Sequence, residues 1–291
     1  MKTTNPSLLD IQGLGVTFDA NKPFPHCALA GVSLSVEEGE VVALVGESGS
    51  GKTVLAHSIL GLLPRSAKIT SGQILWRGVD VLPWNDSQLR QIRGKEVAMI
   101  FQDAQASLNP VYPVGRQLLW RLELYRSLSG ISAKNEALNL LKTVRLSDPQ
   151  RVFGCYPHEL SGGMCQRVMI AMAIACRPSL LIADEPTSSL DATIQFEIMT
   201  LIKTLQQEYR MAVLFITHNM SLLRGFCSRV TVMQGGKVVE VGTTEQLFTL
   251  PRADYTKSLL QASGLLDNGV DIYNSVAATT ATSDKSQSFT N

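Results

Sequence analysis

VVALVGESGSGKT, residues 41–53, is the stretch from which the rest of the chain can be read. Its first half is a continuous, largely β-branched apolar run, the pattern of a strand buried on both faces of a parallel sheet. Its second half, Gly46–Thr53, has the spacing G-x-x-x-x-G-K-[ST]. An apolar helix is predicted to follow, from about Thr53 to Leu63, stopped by Pro64. The chemistry needs these residue types. Glycines let backbone N–H groups face a phosphate without a Cβ in the way, and the helix start adds the positive end of its dipole. Lys52 can reach β- and γ-phosphates, and the Thr53 hydroxyl can ligate Mg²⁺. Gly46, Glu47, Ser48, Gly49, Ser50, Gly51, Lys52 and Thr53 are therefore candidate nucleotide-binding residues. A plain glycine turn before a helix is the bland alternative. The loop by itself implies nucleotide binding and does not say what the energy is used for.

Working outward, the first forty residues read as short strands, with ANKPFP as a turn-prone break. GQILWRG and EVAMIFQ are further strands. From about Val114 to Leu146 the period changes: QLLWRLELY and KNEALNLLKTVRL carry apolar residues at three- and four-residue spacing. This reads as a helical subdomain, about residues 103–176, inserted in an α/β core. SLLIADE and MAVLFITH are then buried strands around the helix ATIQFEIMTLIKTL, and RVTVMQGGKVVEVG is a hairpin turning at Gly235-Gly236. Strands alternating with helices predict a mostly parallel core sheet, here with an antiparallel β element at the N-terminal side. Residues 1–262 form the expected domain and 263–291 a tail. From Asn274 onward it is rich in Ser, Thr and Ala, poor in large apolar residues, and expected to be disordered.

The overall balance narrows the function classes. Apolar residues at 45% and charged residues at 18% belong to a folded globular chain. A net charge of +1 argues against a dominant nucleic-acid surface. Cys27, Cys155, Cys165, Cys176 and Cys227 form no CxxC pair, so no zinc ribbon or disulfide framework is suggested, and free thiols fit a reducing cytosol. The N-terminal residues carry no run like that of a signal peptide. The best apolar run, Val168–Cys176, is fenced by Arg167 and Arg177 and is far shorter than the ~20 residues a membrane helix needs. Any membrane role is expected to come through a partner.

LLIADEP puts Asp184 and Glu185 at the C-terminal end of a buried strand, the edge where ligands sit in a doubly wound sheet. Asp184 is the candidate Mg²⁺ holder, and Glu185 the group that polarises an attacking water. Helix capping explains one of the two acids but not both. LSGGMCQR, Leu160–Arg167, precedes the apolar run MIAMAIA and so places Ser161, Gly162 and Gly163 at a second helix N-terminus suited to an anion.

With LSGG followed by a Gln-Arg pair, the chain resembles the ATPases of ABC transporters, over about residues 8–262. The resemblance implies an α/β P-loop ATPase cassette that hydrolyses ATP with Mg²⁺. It also implies that two cassettes pair head to tail, each ATP lying between one partner's phosphate loop and the other's signature. Gln102 in FQD then matches a loop glutamine that contacts Mg²⁺ and the membrane subunit, and Asp191 in SSLD a loop that crosses the dimer interface. His218 in ITHN matches a switch histidine near the γ-phosphate, and Phe18 in VTF the aromatic that stacks on adenine. Glu185, His218 and Gln102 are the implied catalytic group; Thr53, Gln102 and Asp184 the implied metal set. FQDAQASLNP, YPHELSGGM and YTKSLL are closest to the ATPases of peptide and nickel importers. Implied partners are two membrane permeases, a second ATPase, and indirectly a solute-binding protein, at the cytoplasmic face of the inner membrane.

Three departures stand out. Cys165 replaces the usual Arg before Gln-Arg, Asn219 follows the histidine where Asp is common, and no cysteine lies beyond Cys227, so the iron–sulfur cluster of many relatives should be absent. Cys165 at a helix start is either a thiol activated by the dipole or a buried small hydrophobe. Rival functions are a soluble ABC ATPase without a transport role, an inert nucleotide-binding subunit, and export instead of import.

Overall fold

A computed structural model describes residues 7–265. The tail expected over 263–291 lies outside that range beyond Leu265, and so does the whole stretch expected to be disordered from about 274. β1 (Leu9–Phe18) and β2 (His26–Val36) open the chain. They are longer than the short strands expected, and they pair antiparallel. β3 (Val41–Val45) follows, buried at every position, and leads through the glycine loop into α1 (Lys52–Ile59). That helix ends earlier than predicted. Gly61, at φ +59°, donates its N–H to Ser58, and the Leu62 N–H reaches back to the His57 carbonyl at 2.8 Å. This pair of bonds satisfies the last carbonyls through a left-handed glycine, so Pro64 is not what stops the helix.

β4 (Ala67–Trp76), β5 (Val79–Asp80), α2 (Asp86–Ile92) and β6 (Val97–Ile100) come next. The helical stretch comprises α3 (Ala104–Ser107), α4 (Val114–Arg126), α5 (Gly130–Thr143), α6 (Pro149–Gly154) and α7 (Gly162–Ile174). Return to the sheet is through β7 (Leu180–Asp184), α8 (Ala192–Tyr209) and β8 (Ala212–Thr217). The hairpin β9 (Arg229–Gln234) and β10 (Lys237–Thr243), then α9 (Thr244–Thr249) and α10 (Asp254–Ala262), close the described chain.

Two sheets result, of order β2-β1-β4-β5 and β10-β9-β3-β8-β7-β6. The first is antiparallel; in the second only the β9–β10 pair is. β3 pairs parallel with β8 and β9, and β7 with β6 and β8. Alternation along each central strand divides the core. Val41, Ala43 and Val45, with Val213 and Phe215, face a cluster built with α4, α5, α7 and α8. Val42 and Leu44, with Leu214 and Ile216, face α1 and the antiparallel sheet. The carboxyl ends of β3, β7 and β8 consequently lie side by side, and the loops that leave them build the site. Among the described residues no helix is long and apolar enough to cross a membrane.

Candidate nucleotide site

Backbone geometry of the loop after β3 explains its glycines. At Gly46, φ is +152°, and a Cβ would lie 2.2 Å from the Met233 carbonyl oxygen. At Gly51, φ is +102°, and a Cβ would meet Leu29 Cδ2 at 2.7 Å and the Ala28 oxygen at 2.8 Å. Real Cβ atoms do not approach backbone that closely, so the loop is moulded against β2 and β9.

Lys52 is 5% exposed. Its Nζ donates to the carbonyls of Gly46 and Glu47, both at 2.8 Å, and to Ser50 Oγ at 3.3 Å. Burial lowers its pKa, while the carboxylates of Glu185, Asp184 and Glu47 oppose that shift. The ammonium is thus parked on the loop's own oxygens. These are exchangeable acceptors, and a phosphate would offer stronger, charged ones.

β7 delivers the two acids. Asp184 is 3% exposed, and its Oδ1 has no hydrogen-bond partner. Burial pushes its carboxyl upward; the Thr53 hydroxyl works against the shift, and the Glu185 carboxylate adds to it. A buried oxygen without a partner, on a carboxylate bonded to the Thr53 hydroxyl, fits a hard cation that prefers oxygen ligands. Glu185 sits in the left-handed region at φ +45°, its N–H bonded to the Ile216 carbonyl at 2.9 Å. Such a backbone is held by its surroundings, here by β8. Glu185 Oε2 accepts from Gln102 Nε2 at 3.3 Å, and Oε1 lies 3.0 Å from His218 Nδ1. An ionised carboxylate only accepts, so Nδ1 carries the proton of that bond.

These groups border a cavity of about 870 Å³. Its walls include Gly46, Glu47, Ser48, Gly49, Gly51, Lys52 and Thr53, together with Phe18, Gln102, Glu185 and His218. Ser50 and Asp184 stand behind the wall, touching it through Lys52 and Thr53. Four predicted residues are not part of it: Ser161, Gly162, Gly163 and Asp191. Ser161 caps α7, accepting from the Met164 N–H, and Asp191 caps α8, accepting from the Ile194 N–H. A Cβ on Gly163 would stand 3.1 Å from Ile194 Cγ2, so the two helix starts abut.

Sequence reading missed some members. His26 also lines the cavity and pairs across the strands with Phe18, ring centroids 6.5 Å apart. Ser188, Ser189 and Leu259 line it too. The Glu47 N–H donates to the Tyr255 hydroxyl at 3.0 Å. Two departures acquire reasons. Asn219 Oδ1 accepts from the N–H and Oγ of Ser221, a turn-capping task for which an amide oxygen serves as well as a carboxylate. Cys165 is fully buried, its thiol donates to the Pro157 carbonyl, and burial raises its pKa. The dipole-activated reading of Cys165 is therefore corrected: the side chain is buried in the core, and desolvation, with the Asp103 carboxylate adding to it, raises its pKa instead of lowering it.

A glycine loop between a parallel strand and a helix, facing an acid pair on a neighbouring strand end, defines a P-loop nucleoside-triphosphatase fold. Residues 29–188 match the ABC transporter family, and the chain belongs to it as an ATP-binding cassette. It is 48% identical over 264 residues to the peptidoglycan transport ATP-binding protein YejF of Agrobacterium fabrum, covering 90% of this chain but only 48% of that protein. Against the probable peptide ABC transporter ATP-binding protein y4tR of Sinorhizobium fredii, identity is 45% over 256 residues, 88% of this chain and 76% of that one. The dipeptide transport ATP-binding protein DppD of Escherichia coli is 44% identical, over 88% of this chain and 78% of its own. Among solved structures, the dimeric post-hydrolysis state of the cassette MJ0796 bound to ADP and Pi superposes with a TM-score of 0.73 at 30% identity, over 81% of this chain and 98% of that one.

Proposed function

We propose that this chain hydrolyses Mg-ATP to drive import of peptides or related small solutes through partner membrane subunits. The observation that carries the reading is the Glu185 carboxylate, held between Gln102 and His218 in the same cavity as the Lys52 loop. ATP lies with its base toward Phe18 and its phosphates on Gly46–Thr53. Lys52 leaves the loop carbonyls for the β- and γ-phosphates. Thr53, Gln102 and Asp184 are the residues that would hold Mg²⁺, which would supply neutralisation of charge on the phosphates. Glu185 takes a proton from water as the water oxygen attacks the γ-phosphorus, the bond to the β-phosphate oxygen breaks, and ADP leaves. His218 orients the Glu185 carboxylate through Nδ1.

Ser161, Gly162 and Gly163 stand outside this cavity, so a second cassette supplies its signature helix there, with Asp191 at the interface. Residues 103–176 act as the helical subdomain that the permeases engage, close to Gln102, at the cytoplasmic face of the membrane. Peptide-type solutes are favoured over nickel because the similar proteins quoted above carry peptide, dipeptide or peptidoglycan in their names. The test is phosphate release per subunit against protein concentration, with and without co-expressed permeases and partner ATPase. A shared site predicts a rate that rises with concentration and rises further in the complex. A rate that is high and flat down to nanomolar concentration, from a monomer, would refute it.

A further inference from the structure

Helix α10 belongs to neither half of the mechanism above, yet it reaches the phosphate loop. Tyr255 lies in its first turn and Leu259 one turn on, so both sit on one face. The Tyr255 hydroxyl accepts the Glu47 N–H at 3.0 Å across 208 residues of sequence, and Leu259 lines the nucleotide cavity. On the helix's inner face, Thr256 and Leu260 are fully buried. The start of the helix is anchored as well: Glu240 of β10 accepts the N–H groups of Arg252 at 2.8 Å and Ala253 at 3.0 Å. A short chain of contacts therefore runs from the β9–β10 hairpin through α10 to the first turn of the phosphate loop.

Lys52 also holds that first turn, through the Gly46 and Glu47 carbonyls. A lysine that moves onto phosphate gives those bonds up. The contact from Tyr255 uses a donor, the Glu47 N–H, that Lys52 cannot address, so it survives the exchange. We infer that Tyr255 is a positioning residue of the nucleotide site: its hydroxyl, carried by α10 and anchored through Glu240, fixes the Glu47 peptide and preorganises the loop that receives the phosphates. This rests on the nucleotide-site reading above. Preorganisation is an affinity effect, because a loop ordered beforehand loses less freedom on binding.

The experiment is titration calorimetry of the full chain with MgADP, which keeps the β-phosphate and is not consumed, alongside a melting scan without nucleotide. Tyr255→Phe removes only the hydroxyl. One neutral hydrogen bond corresponds to about a five-fold change in an equilibrium constant, so MgADP should bind about five-fold more weakly. Glu240→Ala should weaken binding in the same direction, and by much less in a Tyr255→Phe background, because its effect passes through that hydroxyl. A wild-type chain that binds MgADP while Tyr255→Phe binds it equally well overturns the inference alone. Additive losses from the two variants, or a lowered melting point with unchanged affinity, also overturn it by marking α10 as scaffold only. A wild-type chain that fails to bind MgADP removes the site reading and this inference together.

Discussion

Replacing Glu185 by Gln separates chemistry from binding. The two side chains have the same length, and both adopt the left-handed backbone at φ +45° with similar strain. The amide oxygen can still accept from one of its neighbours, Gln102 or His218, which now reach the carboxylate at 3.3 and 3.0 Å. Charge and basicity are what disappear. Without a base at that atom, the attacking water has nowhere to leave its proton, and loss of a positioned general base costs about 10²- to 10⁴-fold in rate, or about 3–5 kcal/mol of barrier. Two effects on binding oppose each other. The Glu185 charge helps keep Lys52 protonated, and it makes ionisation of Asp184 harder. Removing it weakens the first cation and favours ionisation of Asp184, the proposed metal holder. Because the two effects oppose each other, affinity for Mg-ATP should change far less than turnover does. The assay is phosphate release by the assembled transporter beside equilibrium ATP binding on the same preparation. Release above about a tenth of the wild-type rate would contradict the general-base role. Loss of binding along with turnover would mean that Glu185 holds nucleotide.

Gly46→Ala and Gly49→Ala should differ, although both glycines have positive φ. At Gly49 nothing lies within 4 Å of an added Cβ, so only the backbone penalty of about 1–2 kcal/mol applies. At Gly46 the Met233 carbonyl stands 2.2 Å away, so the melting point should fall further, and equal melting points would refute the close approach. Asp184→Asn should raise the melting point of the nucleotide-free chain. Its folded pKa lies above the unfolded value, so its favourable contribution is full below the unfolded pKa and lost as pH rises through the folded one. The gain should therefore be larger at pH 8 than near the unfolded pKa of about 3.8, and a gain that grows on acidification would reverse the assignment.

Much of this fold is legible because its signals are local. The burial of β3, β7 and β8 shows in unbroken apolar runs, and the change to three- and four-residue spacing marks α4 and α5. The phosphate loop is legible for the same reason: glycines, lysine and threonine act within eight consecutive residues. What escaped depends on direction or distance. Proline forbids a helix, so sequence puts the end of α1 near Leu63, before Pro64, but glycine three residues before that proline already offers the left-handed turn that closes it. Cys165 has a helix N-terminus as its sequence neighbour, but its environment is set by the side of α7 on which it falls, and that side packs against Pro157. Tyr255 and His26 carry no local mark of a phosphate or base site. One reaches the loop by a tertiary contact from α10, the other by strand pairing with Phe18.

The same distinction bears on the two helix starts proposed to bind phosphate. Sequence names both, at Lys52 and at Gly162, and gives each the same reason, an exposed helix dipole behind glycines. Only geometry separates them. The first opens into the cavity that holds Glu185 and His218, while the second has no residue in that cavity. Its glycines pack beside the start of α8, where Asp191 spends its carboxylate on the Ile194 N–H and not on the cavity. Ser161 and Gly162 are exposed, and Gly163 is half-buried. A helix start turned outward, on a chain whose own site already has its lysine and acids, suits the head-to-tail pair proposed above, in which each copy would keep its base and lend its signature. The asymmetry between the two helix starts is therefore a reason to look for activity in the dimer, with the isolated cassette as the control.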